Sequence, residues 1–246
     1  KIITEMHSVW YNQAMNGSLF VVATPIGNLK DITSRALEVL ESVDFIACED
    51  TRKTTILINN FFKGRERQMQ DKLFSYYEQV EVQKISQVIN LLQNGKNVAL
   101  VSDAGTPAIS DPGFKLIREC LKEGIKVISI PGASSVVSAL VSSGLPTDKF
   151  LFLGFLPQKP GHRTKLLQNL KLSLEIINST VIIFESPYKL QRSLSDIKEV
   201  FGDIEITIAR ELTKIHEEIK KDKISSILEY YKKGIKGEIV ILFNLK

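Results

Sequence analysis

Residues 98–113 read Val98-Ala-Leu-Val-Ser-Asp-Ala-Gly-Thr-Pro-Ala-Ile-Ser-Asp-Pro-Gly, and this stretch decides the fold. It starts as a short apolar run that predicts a buried strand, and it continues as twelve residues of turn formers and small polar groups. An amphipathic segment follows, in which Asp111 can cap a helix and Pro112 fits the first turn. A strand, a loop and a helix in this order are typical of a parallel sheet whose strands are joined by crossover helices.

The same alternation of apolar runs and amphipathic segments continues along the chain in both directions. Continuous apolar runs indicate a mostly parallel sheet that is covered on both faces. A short strand at 216–219 follows closely on the strand that ends at Arg210, which would make that pair antiparallel and the second sheet mixed. The predicted strands are 19–23, 45–48, 72–76, 98–102 and 127–130 in the first half, and 150–155, 181–185, 205–210 and 238–243 in the second.

These elements predict an α/β fold with two αβα domains. Residues 18–131 would hold a mostly parallel five-stranded sheet and residues 132–246 a mixed sheet, while residues 1–17 are interpreted as a disordered arm or an expression remnant. The charged segment 62–71 reads as an exposed loop. Two predicted helices have apolar residues on one face and a glycine at the end, namely Ile85, Val88, Ile89 and Leu92 before Gly95, and Phe114, Ile117 and Leu121 before Gly124.

The composition excludes several classes of protein. The chain has 246 residues and is 43% hydrophobic, which is enough to fill a core. Its excess of basic residues lies in the second half, with 17 basic and 13 acidic residues from Gly132 onward against 15 of each before; a polyanionic partner and random scatter explain this equally well. Cysteine and histidine spacing predicts no metal site. No apolar run could span a membrane, so we expect a cytoplasmic protein.

The loops after the strands are the expected ligand site, because ligands collect beyond the carboxyl ends of parallel strands. An ordinary turn explains Pro25 and Gly27 as well as a ligand contact does, and a helix cap by Asp50 or Thr51 accounts for part of another loop. Two of the loops are built from small residues and leave backbone donors free, which suits a nucleotide-like ligand. The four loops are 23–31, 49–52, 102–113 and 131–135.

Seven motifs occur in order between Leu19 and Phe243. They are Thr24-Pro-Ile-Gly-Asn-Leu with Asp31-Ile-Thr, Cys48-Glu-Asp-Thr-Arg, the loop 102–113, Pro131-Gly-Ala-Ser-Ser, Gly154-Phe-Leu-Pro, Glu185-Ser-Pro and Arg210-Glu-Leu-Thr-Lys. Together they resemble the tetrapyrrole-methylase-like superfamily of S-adenosylmethionine enzymes, and more closely its branch that methylates small-subunit ribosomal RNA. The chain departs from that branch at two places. Ser75-Tyr76-Tyr77 stands where the branch usually reads Ser-Tyr-His, and in the Glu185-Ser-Pro motif Tyr188-Lys189 replaces a usual His-Arg.

The resemblance implies that S-adenosylmethionine binds in a cleft between the two domains, usually within a homodimer. On this basis the predicted cofactor contacts from the strand-end loops are Pro25, Asp103, Ala104, Gly105, Thr106, Ser134 and Ser135. The predicted contacts that close over the cofactor are Phe184, Glu185, Ala209, Arg210 and Gly237.

The resemblance also implies the reaction, which is methylation of the ribose 2′-oxygen of a cytidine in the decoding region of 16S rRNA, with the small ribosomal subunit as partner. A ribose hydroxyl is a weak nucleophile, so a base, or a cation that stabilises the developing oxyanion, would help. Glu49, Asp50 and Arg52 are the first candidates, with Lys30 and Glu185 behind them.

Three alternatives remain at this stage. A tetrapyrrole (precorrin-type) methyltransferase would share the cofactor fold, and a catalytically inactive RNA-binding module would lack cofactor binding. A sugar-nucleotide or dinucleotide enzyme is disfavoured because no Gly-x-Gly-x-x-Gly follows the first strand. Two sets of basic residues are candidates for phosphate contacts, although ordinary solvated charge is the default interpretation. They are Lys159, Arg163, Lys165 and Lys189 in the second half, and Lys63, Arg65 and Arg67 in the segment 62–71.

Overall fold

The structure, a computed structural model, describes residues 16–245, so most of the predicted terminal arm lies outside the described residues. The chain divides into two compact units, one ending at Ala133 and the other beginning at Ser134. At the start of the first unit, the N–H of Gly17 donates to the carbonyl of Leu92, with 2.8 Å between nitrogen and oxygen.

The first unit contains a five-stranded sheet in which every pairing is parallel, as the sequence predicts. The strands are β1 (Ser18–Val22), β2 (Phe45–Cys48), β3 (Leu73–Ser75), β4 (Val98–Val101) and β5 (Lys126–Ile130), in the spatial order β3-β2-β4-β1-β5. The helices are α1 (Ser34–Ser42), α2 (Thr51–Phe61), α3 (Glu66–Gln70), α4 (Glu81–Gln93) and α5 (Phe114–Lys122), with a 3-10 turn at Leu29–Asp31.

Both faces of this sheet are covered, which explains why its strands are apolar without interruption. Leu40 of α1 and Ile58 of α2 pack with Val22 on one face. Leu92 of α4 and Leu116 of α5 belong to a second apolar cluster on the other face. The apolar stripe predicted for α4 is confirmed, since Val88, Ile89 and Leu92 are buried.

Two local predictions in the first unit are wrong. The segment 62–71 contains the short helix α3, and its Phe62 and Met69 side chains are buried although charged neighbours surround them in sequence. Helix α5 begins after Gly113, not after Asp111, because Gly113 adopts a φ of +133° that ends the preceding loop. The buried side chains of α5 are Leu116 and Cys120, whereas Phe114 and Leu121 are exposed.

The second unit contains a mixed sheet, as predicted, in which only β6 and β7 pair in parallel. Its strands are β6 (Phe150–Phe155), β7 (Thr180–Glu185), β8 (Glu205–Arg210), β9 (Glu218–Lys223) and β10 (Ile239–Phe243), in the spatial order β6-β7-β10-β8-β9. The helices are α6 (Ser135–Ser142), α7 (Pro160–Ile176), α8 (Leu190–Phe201) and α9 (Ile224–Tyr230).

The extra strand pairs antiparallel with β8, as predicted, but it lies at 218–223 instead of 216–219. Its sequence, Glu-Ile-Lys-Lys-Asp-Lys, is charged because it forms the edge of the sheet, so the apolar pattern that marks a strand is missing. The main core of this unit joins α7, α8 and α9 to one face of the sheet. None of the helices in the described part of the chain is long and apolar enough to cross a membrane.

Candidate functional site

The carboxyl ends of the first sheet's strands lie in one row. Cys48 is the register partner of both Ser75 and Val101, and Val22 is the partner of Ile130. The loops that follow these strands therefore all leave the sheet at the same end. We call this row of strand ends and its loops the first edge, which is different from an edge strand, the outermost strand of a sheet. The first edge contains the predicted loops 23–31, 49–52 and 102–113, and residues 131–133 of the predicted loop 131–135.

Backbone hydrogen bonds join two of these loops. The N–H of Thr24 donates to the carbonyl of Gly105 at 2.8 Å, and the N–H of Gly105 donates to the carbonyl of Thr24 at 3.0 Å. The Thr24 hydroxyl lies 3.3 Å from the Ser102 carbonyl, and the Thr106 hydroxyl lies 3.3 Å from the Ala133 carbonyl. The long loop after β4 is thus fastened to the loops after β1 and β5.

Glycine is required where these loops meet. Gly105 has a φ of +81°, and a Cβ there would lie 3.2 Å from Cγ2 of Ile26. A Cβ on Gly132 would lie 3.0 Å from Cβ of Ala23. Ala108 and Ser110 also have positive φ, which costs non-glycine residues about 1–2 kcal/mol. Strain of this kind is concentrated at functional loops in proteins.

A polar network lies beside the joined loops. The N–H of Asp103 donates to Oε2 of Glu49 at 3.2 Å, and Nζ of Lys53 lies 2.7 Å from Oδ2 of Asp103. The other carboxylate oxygen of Asp103, Oδ1, is buried and has no hydrogen-bond partner among the described residues. Burial raises the pKa of Glu49, and burial together with the nearby Glu49 raises the pKa of Asp111 to about 6.

Asp50 caps helix α2 and pairs with Arg52, as the helix-cap interpretation of this loop predicts. Oδ1 of Asp50 accepts the backbone N–H of Arg52 at 2.9 Å and so caps α2. Its carboxylate also receives Nε and Nη2 of Arg52 at 3.0 and 2.7 Å. These hydrogen bonds lower the pKa of Asp50 to about 2, so this carboxylate is a poor proton acceptor at neutral pH.

Five predicted cofactor residues of the second unit also lie along one edge, which we call the second edge. Phe184 and Ala209 are both register partners of Val240, and Glu185 and Arg210 are both partners of Ile239. Gly237 lies two residues before β10 and has a φ of +93°. The structure therefore brings Phe184, Glu185, Ala209 and Arg210 together in two adjacent rows, with Gly237 in the segment that leads into β10.

Charged side chains hold the second edge. Glu185 is buried and accepts the Ser193 hydroxyl and the N–H of Ser186. Nε of Arg210 lies 3.1 Å from Oε2 of Glu218, and its Nη1 donates to the carbonyl of Lys236 at 3.2 Å. Glu185 and Arg210 thus have partners within their own unit, and these contacts orient the two side chains.

Arg163 does not fit the predicted role of a phosphate contact. Its side chain is 5% exposed and forms an ion pair with Asp196. Its Nη1 donates to the carbonyls of Pro157 and Gln158 at 3.0 and 3.2 Å. It therefore holds the loop after β6 and is not available at the surface.

Other predicted residues are not part of these networks. Lys30 lies in the 3-10 turn with an exposed side chain, and no ion pair joins it to a described carboxylate. Ser134 precedes α6, but its hydroxyl makes no capping bond. Ser135 is the first residue of α6, and Ala104 lies next to the Thr24–Gly105 pair.

Two residues of the first edge were missed as site candidates in the sequence. Lys53 falls one residue beyond the motif that ends at Arg52, and Asp111 was assigned to a helix cap. The available signal for Asp111 was its position, since it is an acidic residue near the end of a long loop of small residues. Within the described residues, no group of three or more His, Cys, Asp or Glu side chains is arranged to hold a metal ion.

Comparison with known proteins defines the class. The family model for Tetrapyrrole (Corrin/Porphyrin) Methylases matches residues 18–228. A crystal structure of diphthine synthase matches with a TM-score of 0.65 and 16% identity over 92% of this chain and 90% of that chain. A uroporphyrin-III-C-methyltransferase from Thermus thermophilus matches with a TM-score of 0.58 and 16% identity over 92% and 94%. The chain belongs to the tetrapyrrole methylase family.

More similar relatives show to which branch of this family the chain belongs. A ribosomal RNA small subunit methyltransferase I from Thermotoga maritima is 45% identical over 94% of this chain and 99% of the relative. A protein of the same name from Hydrogenobaculum is 46% identical over 92% and 95%, and one from Escherichia coli O157:H7 is 43% identical over 92% and 77%. Within the family, the chain belongs with these ribosomal RNA small subunit methyltransferase I proteins.

Proposed function

We propose that this chain transfers a methyl group from S-adenosylmethionine to the ribose 2′-oxygen of a cytidine in the decoding region of 16S rRNA. The observation that carries the proposal is the first edge, where two loops are joined by backbone hydrogen bonds beside a buried, unpartnered oxygen of Asp103. The names of the curated relatives supply the substrate class. The tetrapyrrole alternative has weaker support, because the family model carries it only in the name of the broader family and the structural neighbours, at 16% identity, share only the fold.

The charge of the first edge suits this cofactor. Its five carboxylates outnumber its three basic side chains, Lys30, Arg52 and Lys53. S-adenosylmethionine carries a sulfonium, an ammonium and one carboxylate at neutral pH, so it is a net cation. Opposite charges on ligand and site favour encounter and orientation. The five carboxylates belong to Asp31, Glu49, Asp50, Asp103 and Asp111.

Specific atoms of the loops fit such a ligand. Oδ1 of Asp103 can accept a hydrogen bond from a ligand amino or hydroxyl group, which would satisfy its buried oxygen. The bare backbone at Gly105 allows close approach, and Pro25, next to its bridge partner Thr24, is buried. When bound, S-adenosylmethionine supplies an electrophilic methyl group. The predicted contacts at Ala104, Thr106, Ser134 and Ser135 belong to this proposal, as do those along the second edge.

The acceptor hydroxyl must lose its proton as its oxygen forms the bond to the methyl carbon and the carbon–sulfur bond breaks. Glu49 is our choice of proton acceptor among the candidates, because burial raises its pKa toward the range in which a carboxylate accepts protons effectively. Asp50 is a weaker choice because Arg52 lowers its pKa. Arg52 and Lys30 are exposed and can meet an anionic substrate.

We further propose that the chain works as a homodimer in the cytoplasm. Three side chains of the edge strand β6 are exposed and apolar, namely Phe150, Leu151 and Phe155. Exposed apolar edges of this kind are commonly covered by another chain. Light scattering on the purified protein tests the proposal, and a monomeric mass at micromolar concentration would contradict it. The buried free thiols of Cys48 and Cys120 are compatible with a reducing compartment.

The test of the main proposal is transfer of labelled methyl from S-adenosylmethionine to 30S subunits that lack their native methylations. We expect label in a single 2′-O-methylcytidine after nuclease mapping. Asp103→Asn should weaken cofactor binding about tenfold, while Asp71→Asn, a matched change of an exposed aspartate in the same unit, should leave it unchanged. Tight cofactor binding without transfer to 30S subunits or to naked 16S rRNA would contradict the rRNA assignment.

A further inference from the structure

The second edge gathers several loops of the second unit at one place. β6 and β7 end there, because Phe155 is the register partner of Phe184. β8 also ends there, and β9 and β10 begin there, because Arg210 is the partner of both Glu218 and Ile239. Side chains from four separate segments therefore share this surface. The segments are 156–159, 186–189, 211–217 and 234–238.

The acidic groups of this surface are already bonded within the unit. Glu211 and Glu238 both lie within 3.0 Å of Nζ of Lys214, and Oε2 of Glu218 lies 3.1 Å from Arg210. Glu217 accepts the backbone N–H of Thr213. The charges of Glu211, Glu218 and Glu238 are therefore partly neutralised by cations of the same unit, whereas Glu217 has a backbone hydrogen bond and no ion pair among the described residues.

Three lysines of the same surface remain uncompensated. Lys159 follows β6, Lys189 follows β7, and Lys236 precedes β10. None of the three forms an ion pair with a carboxylate of the described residues, whereas Lys214 forms two. We call Lys159, Lys189 and Lys236 the basic rim. Neighbouring strands in a sheet lie about 4.8 Å apart. The strand β7 lies between β6 and β10, so the strands that lead to Lys159 and Lys236 are about 10 Å apart.

Tyr188 stands on this surface and is 98% exposed. Few tyrosines are so completely in water, since the ring is largely apolar. It lies in the turn between β7 and α8, next to Lys189. On the segment 211–217 of the same surface, Ile215 is 97% exposed. An exposed ring beside uncompensated cations is the combination that binds single-stranded nucleic acid, where bases stack on aromatic faces and lysines meet phosphates.

We propose that Tyr188 is a stacking platform for an unpaired RNA base, and that the basic rim binds the flanking phosphates. The inference rests on the proposed function for the identity of the polymer. It goes further by specifying an unpaired segment, because a base inside a duplex is already stacked and its face is not available to a side chain. The platform selects single strands, and the rim supplies affinity that does not depend on sequence.

The test measures binding of the full chain to a fluorescein-labelled oligocytidylate and to an RNA duplex of equal length, by fluorescence anisotropy. Tyr188→Ala should weaken binding of the single strand about tenfold, within the range expected for loss of one stacked base. Tyr188→Phe should bind like the parent protein because it keeps the ring. Phe114→Ala removes an exposed ring from the first unit and serves as the matched control.

A combined Lys159→Gln, Lys189→Gln and Lys236→Gln variant tests the rim. The slope of log affinity against log salt should become about 2 units shallower, since each phosphate contact of a single strand contributes about 0.7. Equal binding by Tyr188→Ala and the parent, or no preference for single strands, would overturn the proposal.

Cofactor binding and methyl transfer, measured on the same variants, separate the two proposals. If Tyr188-dependent binding is present but no 30S subunit is methylated, the platform stands and the proposed function fails. If 30S subunits are methylated but Tyr188→Ala binds and reacts like the parent, the function stands and the platform is wrong.

Discussion

The two edges are held together in different ways. At the first edge, backbone groups of separate loops bond to each other, as Thr24 does with Gly105, and glycines allow the close approach. At the second edge, side-chain charges do this work, as in the pairs Arg163–Asp196 and Arg210–Glu218. The first edge therefore depends mainly on backbone conformation, although the Lys53–Asp103 ion pair also contributes. The second edge depends mainly on a few charged side chains, beside a backbone hydrogen bond from Glu211 to the carbonyl of Glu238.

This difference has a functional meaning. A surface held by its backbone keeps a fixed shape and suits a small ligand of defined form. A surface held by internal ion pairs can leave other cations uncompensated, as Lys159, Lys189 and Lys236 are, and suits a polyanion. Substitutions at each edge test whether the two differ in this way.

The largest effect is expected at the second edge. Arg163→Met removes the buried partner of Asp196 and two hydrogen bonds to loop carbonyls. We expect a loss of about 3 kcal/mol in the free energy of unfolding, since breaking one side of a buried ion pair leaves an uncompensated charge. Lys149→Met breaks an exposed pair with Asp148 and should cost less than about 0.5 kcal/mol. Urea unfolding measures both, and similar costs would mean that Arg163 does not hold this edge.

The next effect concerns the first edge. Gly105→Ala places a Cβ 3.2 Å from Ile26 in a backbone with φ of +81°. We expect a loss of about 2 kcal/mol in S-adenosylmethionine binding, or about thirtyfold, because the joined loops must shift. Gly64→Ala is the control, since Gly64 has a φ of +83° with nothing within 4 Å. Calorimetry gives the affinities, and a normal affinity for Gly105→Ala would show that the ligand does not depend on these loops.

A smaller effect should appear with pH. Burial and Glu49 raise the pKa of Asp111 from 3.8 to about 6, so the folded chain binds this proton more tightly than the unfolded chain. Stability contributed by this group is therefore present below pH 4 and is lost as the pH rises to about 6.

Asp111→Asn removes the titration. After allowance for partial exposure, the variant should gain about 1 kcal/mol relative to the parent above pH 6 and nothing near pH 4. Unfolding at a series of pH values measures the difference, and a gain that does not vary with pH would show that Asp111 titrates normally.

The smallest effect on stability is expected for Arg52→Ala. Arg52 is exposed and pairs only with its neighbour Asp50, whose capping bond comes from the backbone. We expect an unchanged melting temperature and, if Arg52 meets the RNA, at least a tenfold lower rate of methyl transfer. A lower melting temperature with normal transfer would favour the helix-cap role alone.

Much of the fold could be predicted because burial leaves a clear pattern in sequence. All five strands of the first sheet were predicted to within two residues, since strands covered on both faces are apolar throughout. Strand β9 was displaced and helix α3 was missed because both carry charges. Phe62 and Met69 are the apolar residues that anchor helix α3. They are isolated in a polar stretch and give no periodicity.

The candidate site shows the same limit. The first edge was visible because positive φ and close backbone approach require small residues, which stand out as motifs such as the loop 102–113. The contacts of the second edge join residues far apart in sequence, as Arg163 and Asp196 are, and no local pattern marks such a pair. Arg163 looked like a surface cation for this reason.

The paired hydrogen bonds between Thr24 and Gly105 also bear on motion. They make two loops behave as a short extra piece of sheet, so their amides should exchange with solvent only when both bonds break together. Opening at this place is then a small unfolding event, with its own free energy, and not a gradual drift of a flexible segment. For a ligand that contacts both loops, entry and exit would each require this free energy of opening. Its residence time would then follow the rate at which the Thr24–Gly105 pair of hydrogen bonds opens.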